Sequence, residues 1–417
     1  MLNSALPIEA IQAFAQSQRQ TLLKLCAELV SARSPQPEGN TTAPAKVLVS
    51  FLVAQGLNPV LRSVKPEKPN LICSFDTGLP GPHLILNGHI DTLNPGNDAD
   101  WSVPIYELAR NNGRLTGLGI GNMKAGVAAL VVAFVGLFKN KSSLRGRVTL
   151  AIVADEVVFG PDGAAFLLKQ DTDLHGDAVI NAEGPGSMNL AIAEKGLLWV
   201  AIEATAPPGQ GMLTRKGSSA IARLASILTE IDKWNEEQAT PPEEVAILAE
   251  GAGDTGLRLS VNTGTIKGGS FVSQVATSAV AEVDFRVPPG MTIEEIEARL
   301  NEKAAQIGGI TVRRIKGWNP NWTAVDNPLC QAVLDATDKI RSKRAVPVVR
   351  LPASDAARWR ALGIPAICYG PQAELASGVN DYVYEDDVVD CVAIYVAASL
   401  SLCGYDNATG ELPWQSF

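Results

Sequence analysis

The sequence predicts an α/β fold: a mostly parallel sheet covered by helices, with a smaller α+β (split βαβ) domain inserted into it. Three observations predict it. Apolar runs of strand length alternate with segments of helical period through the first half of the chain, the pattern of a parallel sheet buried on both faces. Near Gly196 this alternation gives way to longer strands with one solvated face, joined to helices as in a split βαβ unit. From about residue 317 the first pattern returns. The expected division is a larger domain in two parts, 1–195 and 317–417, around an inserted domain, 196–316. A chain of 417 residues suits two domains better than one core.

The elements follow in order. Residues 8–33 carry Ile11, Phe14, Leu22, Leu25 and Leu29 at helical spacing. Residues 43–55 form a second helix, stopped by Gly56. Strands are expected at 60–64, 70–75 and 83–87. The glycine-rich run Gly117-Leu-Gly-Ile-Gly121 opens a helix over 122–138. A strand over 147–154 leads through a loop to another helix, and 177–182 is a short strand. In the inserted domain the expected elements are strands 197–204, 257–266 and 275–287 and helices 219–232 and 292–307. Glutamates at the start of the last helix suit its dipole. The closing part reads as helix 328–341, strand 348–351, helix 354–361, strand 364–370 and helix 387–401.

Composition narrows the function. Hydrophobic residues make up 46% of the chain and mean hydropathy is +0.09, which describes a core-rich globular protein. Net charge is −9 with no Lys/Arg cluster, against a nucleic-acid partner. No run of about 18 uninterrupted apolar residues occurs, so no membrane helix is expected. The N-terminal stretch lacks a basic segment followed by an apolar one and reads as an amphipathic helix, not a signal peptide. The six cysteines are scattered without a CxxC pair, so neither a disulfide framework nor a cysteine metal cluster is expected, and the cytoplasm is the expected compartment.

The chemistry concentrates at strand ends. The run Leu84-Ile-Leu-Asn-Gly-His-Ile-Asp-Thr92 ends with His89 and Asp91 two residues apart, at the strand edge where α/β proteins bind ligands. Asp155-Glu156 and Glu183 likewise follow apolar runs. Converging strand ends would bring these groups together. Asp91 can orient the His89 ring as groups behind metal ligands do, and one of the Asp155-Glu156 pair can face a cleft as a general base. The three glycines at 117, 119 and 121 do not match a dinucleotide loop in spacing or context.

Across nearly the whole chain the pattern resembles the M20 metallopeptidases and amidohydrolases. This family includes acetylornithine deacetylases, succinyl-diaminopimelate desuccinylases and carboxypeptidases. The resemblance rests on Gly88-His-Ile-Asp-Thr92, Gly117-Leu-Gly-Ile-Gly-Asn-Met-Lys-Ala-Gly126, Ala154-Asp-Glu156 and Gly264-Thr-Ile-Lys-Gly-Gly269. It continues through Val283-Asp-Phe-Arg286, Ser354-Asp-Ala356, Tyr369-Gly-Pro371 and Val379-Asn-Asp-Tyr-Val383. It implies two zinc ions sharing an aspartate, a general-base glutamate, and an inserted domain that serves as lid and dimer interface.

Carried over residue by residue, the resemblance places His89 and Glu183 as ligands, Asp91 behind His89 and Glu156 as the general base. The shared aspartate is Asn122, the ligand glutamate after the base is Val157, and the C-terminal histidine ligand falls on Ser377. In the lid, the oxyanion-stabilising histidine becomes Gln210 and the substrate-contacting asparagine becomes Ser273. Arg286 matches the arginine that binds the substrate carboxylate, for which its bidentate fork is suited; Lys195 follows the same logic. Valine cannot bind zinc and a neutral serine is a poor ligand, so the expected cofactor is none, or one zinc on His89 and Glu183.

Bland alternatives stand beside each assignment. His89 and Glu183 also read as hydrogen-bonded residues, Asp91 as a turn cap, Glu156 as a solvated loop residue and Arg286 as a structural ion pair. Three functions follow. One is an enzyme acting on an amide or acyl bond of an amino-acid-like carboxylate without the two-zinc mechanism. There Glu156 is acid/base, Asn122, Gln210 and Ser377 bind an oxyanion, and the outcome is hydrolysis, transfer, cyclisation or elimination. The others are a one-metal amidohydrolase or peptidase and a non-catalytic ligand- or partner-binding protein. The resemblance implies a homodimer through the lid.

Overall fold

A computed structural model describes residues 6–251, 253–374 and 378–405. It divides into two compact units, one drawn from residues 1–192, 323–348 and 354–417, the other from 193–322 and 349–353.

The first unit opens with α1 (Ile8–Ser17), α2 (Arg19–Ser31) and α3 (Thr42–Ala54). The single helix expected over 8–33 is thus two. Gln18, at φ −85° and ψ −2°, lies in the bridge region of backbone space and breaks the run. Strands β1 (Val60–Arg62), β2 (Asn70–Asp76) and β3 (His83–His89) follow, then a short hairpin, β4 (Ala109–Asn111) and β5 (Arg114–Thr116). Next come α4 (Ala125–Lys139), β6 (Arg147–Val153), α5 (Ala164–Gln170), β7 (Ala178–Asn181) and β8 (Leu190–Glu194).

The second unit holds β9 (Gly196–Thr205), α6 (Ala220–Asp232), two single turns α7 (Leu248–Gly251) and α8 (Gly253–Gly256), then β10 (Ser260–Gly268), β11 (Ser278–Val287), α9 (Ile293–Ile307), β12 (Ile310–Trp318) and β13 (Asn321–Trp322). The chain continues with α10 (Pro328–Arg341), β14 (Pro347–Arg350), α11 (Ala356–Arg360), β15 (Ala366–Cys368), β16 (Tyr382–Tyr384) and α12 (Glu385–Cys403).

The central sheet of the first unit runs β1-β2-β6-β3-β7-β15-β8. Strands β6, β3, β7 and β15 are mutually parallel, while β1, β2 and β8 pair antiparallel to their neighbours. The fold is therefore α/β with a mixed, mostly parallel sheet. Its middle strands are buried almost end to end, which explains their continuous apolar sequence. The segment Ile120–Lys139 is apolar and long enough to cross a membrane, yet 94% of its 18-residue apolar window is buried. A helix that is apolar all round is one enclosed on all sides, and α4 fills that place against the sheet.

The helix expected over 122–138 begins only at Ala125. Asn122 (φ −123°, ψ 91°) and Met123 (φ −137°, ψ 33°) are not helical. The buried carboxylate of Asp381 accepts the N–H groups of Gly121 and Asn122 at 2.8 and 3.2 Å, so these backbone donors point away from a helix ladder. The glycines before them serve packing. Gly119 has φ +76°, and a Cβ there would meet Thr92 Cγ2 at 2.2 Å; at Gly121 one would meet Asp381 Oδ1 at 2.3 Å.

In the second unit a four-stranded antiparallel sheet runs β10-β11-β9-β12. Leu224, Ile227 and Ile231 of α6 and Ile296 and Leu300 of α9 pack on Ile202, Ala281, Val283 and Phe285 of the sheet. Burial alternates along β11, as a half-solvated strand requires. The acidic start expected for α9 is a reciprocal cap: Thr292 Oγ1 accepts from Glu295 N–H at 3.2 Å while Glu295 Oε2 accepts from Thr292 N–H at 2.8 Å.

Candidate active site

Strands β6, β3 and β7 lie side by side and parallel; β3 ends at His89, β7 at Asn181 and β6 at Val153. His89 pairs with Val153, and Asn87 with Asn181. The registers put His89, the 154–157 turn and Glu183 at three adjacent carboxyl ends. His89, Asp91 and Glu183 are at most 1% exposed and Glu156 is 5% exposed. Glu156 is therefore not a solvated loop residue.

The imidazole of His89 is held from both sides. Its Nδ1 lies 3.0 Å from the Asp91 backbone oxygen and 3.4 Å from Asp91 Oδ1. Its Nε2 lies 3.0 Å from Asn122 Oδ1, 3.4 Å from Glu156 Oε2 and 3.7 Å from Glu183 Oε1. The ligand atoms of His89, Glu156 and Glu183 all fall within 4.8 Å of one another.

Asp91 anchors the neighbouring turn. Its oxygens accept from Gln36 Nε2 at 2.8 Å, from Glu156 N–H at 3.2 Å and from Val157 N–H at 3.1 Å. The two carboxylates of Asp155-Glu156 separate as alternating directions require. Asp155, at φ +64°, turns to Lys68 and accepts from Asp162 N–H at 3.1 Å. Glu156 faces His89. Glu183 is set by Asn181, whose Oδ1 accepts its N–H at 2.8 Å.

Burial and charge shift these groups in opposite senses. Burial and the adjacent Glu183 push the Glu156 carboxyl well above the usual glutamate range, with His89 opposing. Burial acts to lower the His89 pKa, but Glu156, Asp91 and Glu183 carry it well above the ordinary 6.5. Burial acts to raise Asp91, yet His89, Gln36 and the Val157 N–H hold it below the usual range. Burial also lifts Asp355 to about 6. Asp381 rises to about 6 for the same reason, and burial takes Lys124 down to about 7.

The remaining sequence candidates lie elsewhere. Ser377 is outside the described residues. In the second unit Gln210 and Ser273 are exposed and lie together: Gln210 bridges to Gln274, and the Gly211 N–H donates to the Ser273 oxygen at 2.8 Å. Arg286 pairs through Nε with both oxygens of Asp284 at 3.1 Å. Lys195 Nζ donates to the Arg258 oxygen at 2.6 Å; its burial, with Arg258 and Arg286 close by, lowers its pKa to about 8. His83 contacts Thr149 and His175 the Leu168 oxygen, both away from the site. Gln36, Lys68, Asn181 and Asp355 were not among the candidates. Asp355 lies in a recognised motif; Gln36 and Lys68 carry no sequence signal at all.

A model of peptidase family M20/M25/M40 matches residues 85–401. The chain is 21% identical over 395 residues to a probable succinyl-diaminopimelate desuccinylase of Staphylococcus epidermidis, covering 90% of this chain and 96% of that one. It is 26% identical over 281 residues to acetylornithine deacetylase of Proteus mirabilis, 67% of this chain and 68% of that one. Among solved structures, human carnosine dipeptidase 1 superposes with a TM-score of 0.74 at 13% identity, over 96% of this chain and 99% of that one. An M20 family metallo-carboxypeptidase from Sulfolobus solfataricus gives 0.69 at 17% identity, over 91% and 98%. With a family match over this length and the three strand ends converging on His89, the chain belongs to peptidase family M20/M25/M40.

Proposed function

We propose that this chain, a hydrolase-family protein of amide and peptide bonds, cleaves the amide of a small amino-acid-derived acyl compound, with Glu156 as proton carrier and without a two-ion centre. One observation carries the reading: Glu156 is buried at the carboxyl ends of the parallel strands, opposite His89, with Oε1 free of any hydrogen-bond partner. Burial and Glu183 raise its pKa above the ordinary glutamate range, which makes it a stronger base than an ordinary glutamate. Asp91 fixes the turn that aims it.

The two-ion arrangement does not match the residues. Val157 has no donor atom, and Asn122 supplies a neutral carboxamide whose Oδ1 faces His89 Nε2. One ion fits, because His89 and Glu183 do come together. A bound cation would polarise the substrate carbonyl and acidify water. The protein's own groups do the rest: Glu156 takes a proton from the attacking water and returns it to the departing amine, and the Asn122 amide donates to developing negative charge. In the second unit Lys195 feels the charge of Arg286, and Arg286 would bind the substrate carboxylate in exchange for its Asp284 partner. A homodimer through residues 196–316 completes the proposal.

A panel of N-acyl amino acids and dipeptides tests it. Turnover is expected for at least one, rising with pH through a midpoint above 4.5, the ordinary value for a glutamate. Glu156→Gln should lower kcat by about 100- to 10,000-fold. Binding without turnover across the panel would favour a non-catalytic role and end this reading.

A further inference from the structure

The segment that carries Asn122 is held from outside itself. Oδ2 of Asp381 accepts the N–H of Gly121 at 2.8 Å and that of Asn122 at 3.2 Å. The backbone oxygen of Asp381 accepts the N–H of Gly117 at 3.0 Å. The fit is close: a Cβ on Gly121 would meet Asp381 Oδ1 at 2.3 Å and the Tyr382 oxygen at 3.1 Å. Asp381 stands just before β16, whose Tyr382 pairs with Thr116 of β5. The carboxylate and the glycine run therefore leave the same small sheet side by side.

Asp381 is buried, and a buried carboxylate is costly unless it is paired or hydrogen-bonded. Burial pushes its pKa up to about 6, and the backbone N–H groups of Gly121, Asn122, Tyr382 and Gly119 oppose that rise. Each such bond is charge-assisted, and several converging on one carboxylate make a firm seat for the backbone that donates them.

What the seat fixes is the Asn122 side chain. Asn122 is extended, at φ −123° and ψ 91°. With its N–H on Asp381, its carboxamide reaches the imidazole, and Oδ1 lies 3.0 Å from His89 Nε2. Oδ1 is thus committed to the ring, which leaves the two Nδ2 hydrogens to donate elsewhere. We propose that Asp381 is a positioning residue of the active site: its carboxylate holds the 119–122 backbone so that the Asn122 amide stands against His89 and presents Nδ2 to the substrate. The catalytic consequence rests on the proposed function; the placement of Asn122 does not.

The chain has three histidines, so the full chain carrying ring-labelled histidine, without added metal, reports each imidazole by nitrogen NMR. His83 and His175, bonded to Thr149 and to the Leu168 oxygen, are internal controls. Asp381→Asn turns one of two acceptor oxygens into a donor that opposes the backbone N–H groups. The His89 Nε2 signal should move in this variant as it does in Asn122→Ala, with His83 and His175 unmoved, a selectivity that general loss of structure does not give. Turnover should fall by about 100-fold in kcat, the scale of a 1 Å misplacement, with KM little changed. Combining Asp381→Asn with Asn122→Ala should cost little more than Asn122→Ala alone, because residues that act through one another are not additive. Gly121→Ala crowds the same carboxylate from the other side and should move the same signal, which keeps the test in force if Asp381→Asn does not fold. A folded Asp381→Asn with an unmoved His89 signal, three signals shifting together, or additive losses in the double variant would overturn the positioning. A selective His89 shift in a protein whose wild type has no turnover removes the proposed function and keeps the positioning; wild-type turnover with an unmoved His89 signal does the reverse.

Discussion

The turn that aims Glu156 is held by residues remote in sequence, Asp91 and Lys68. Glu156 points at His89 because Asp155, its neighbour, is turned the other way and locked to Lys68. Asp155 is 1% exposed at its side chain and Lys68 12%. Taking one partner from a buried ion pair strands the other's charge, at a cost of about 3–5 kcal/mol. Lys68→Met should therefore destabilise the protein by about that much in urea at neutral pH. Adding Asp155→Asn should recover most of it. A loss below about 1 kcal/mol, or a double variant no better than the single one, would show that the pair does not hold the turn. Nothing in the sequence pairs position 68 with 155, because the contact arises only once β2 lies beside β6. By contrast His89, Glu156 and Glu183 were legible, since each ends an apolar run whose place in a parallel sheet follows from its composition.

Elements bring these residues into register, and their close approaches set limits that propensity does not. Gly126, in the first turn of α4, shows the competition. Alanine is the better helix former by about 1 kcal/mol, but a Cβ at this position would lie 2.4 Å from the Ala182 backbone oxygen. Overpacking of this kind costs about 1–3 kcal/mol, and the obstacle is backbone, which has little room to yield. Gly126→Ala should therefore lower thermal stability despite its helical benefit. Because Ala182 immediately precedes Glu183, it should also lower turnover more than an exposed-helix substitution such as Lys24→Ala. Higher stability in Gly126→Ala would mean that α4 can move off the strand end. The buried strands and α4 were readable from hydrophobic period alone. The start of α4, the break at Gln18 and the β4-β5-β16 sheet were not. Each depends on a partner distant in the chain, such as Asp381 for the 120–124 turn or Thr116 for Tyr382.

At the scale of the whole molecule the open question is what covers the second unit. Strand β10 is at the edge of its sheet and exposed along all but its first two residues. Such an edge is a template for pairing with another strand, and monomers usually blunt it with short length, charge or proline. Here it spans nine residues, and nearby side chains are large and apolar: Ile266 is 58% exposed, Phe271 66% and Val272 95%. A second copy of the chain answers both features, because a two-fold axis would set β10 against its own counterpart and cover the same residues on each copy. Sedimentation should then give twice the chain mass of 44.0 kDa at micromolar concentration. Ile266→Lys should move the protein toward monomer without changing its circular dichroism, since the residue is outside the core that α6 and α9 form. A wild type that sediments as a monomer, or an Ile266→Lys variant that dimerises as tightly as before, would leave the exposed edge without its proposed partner.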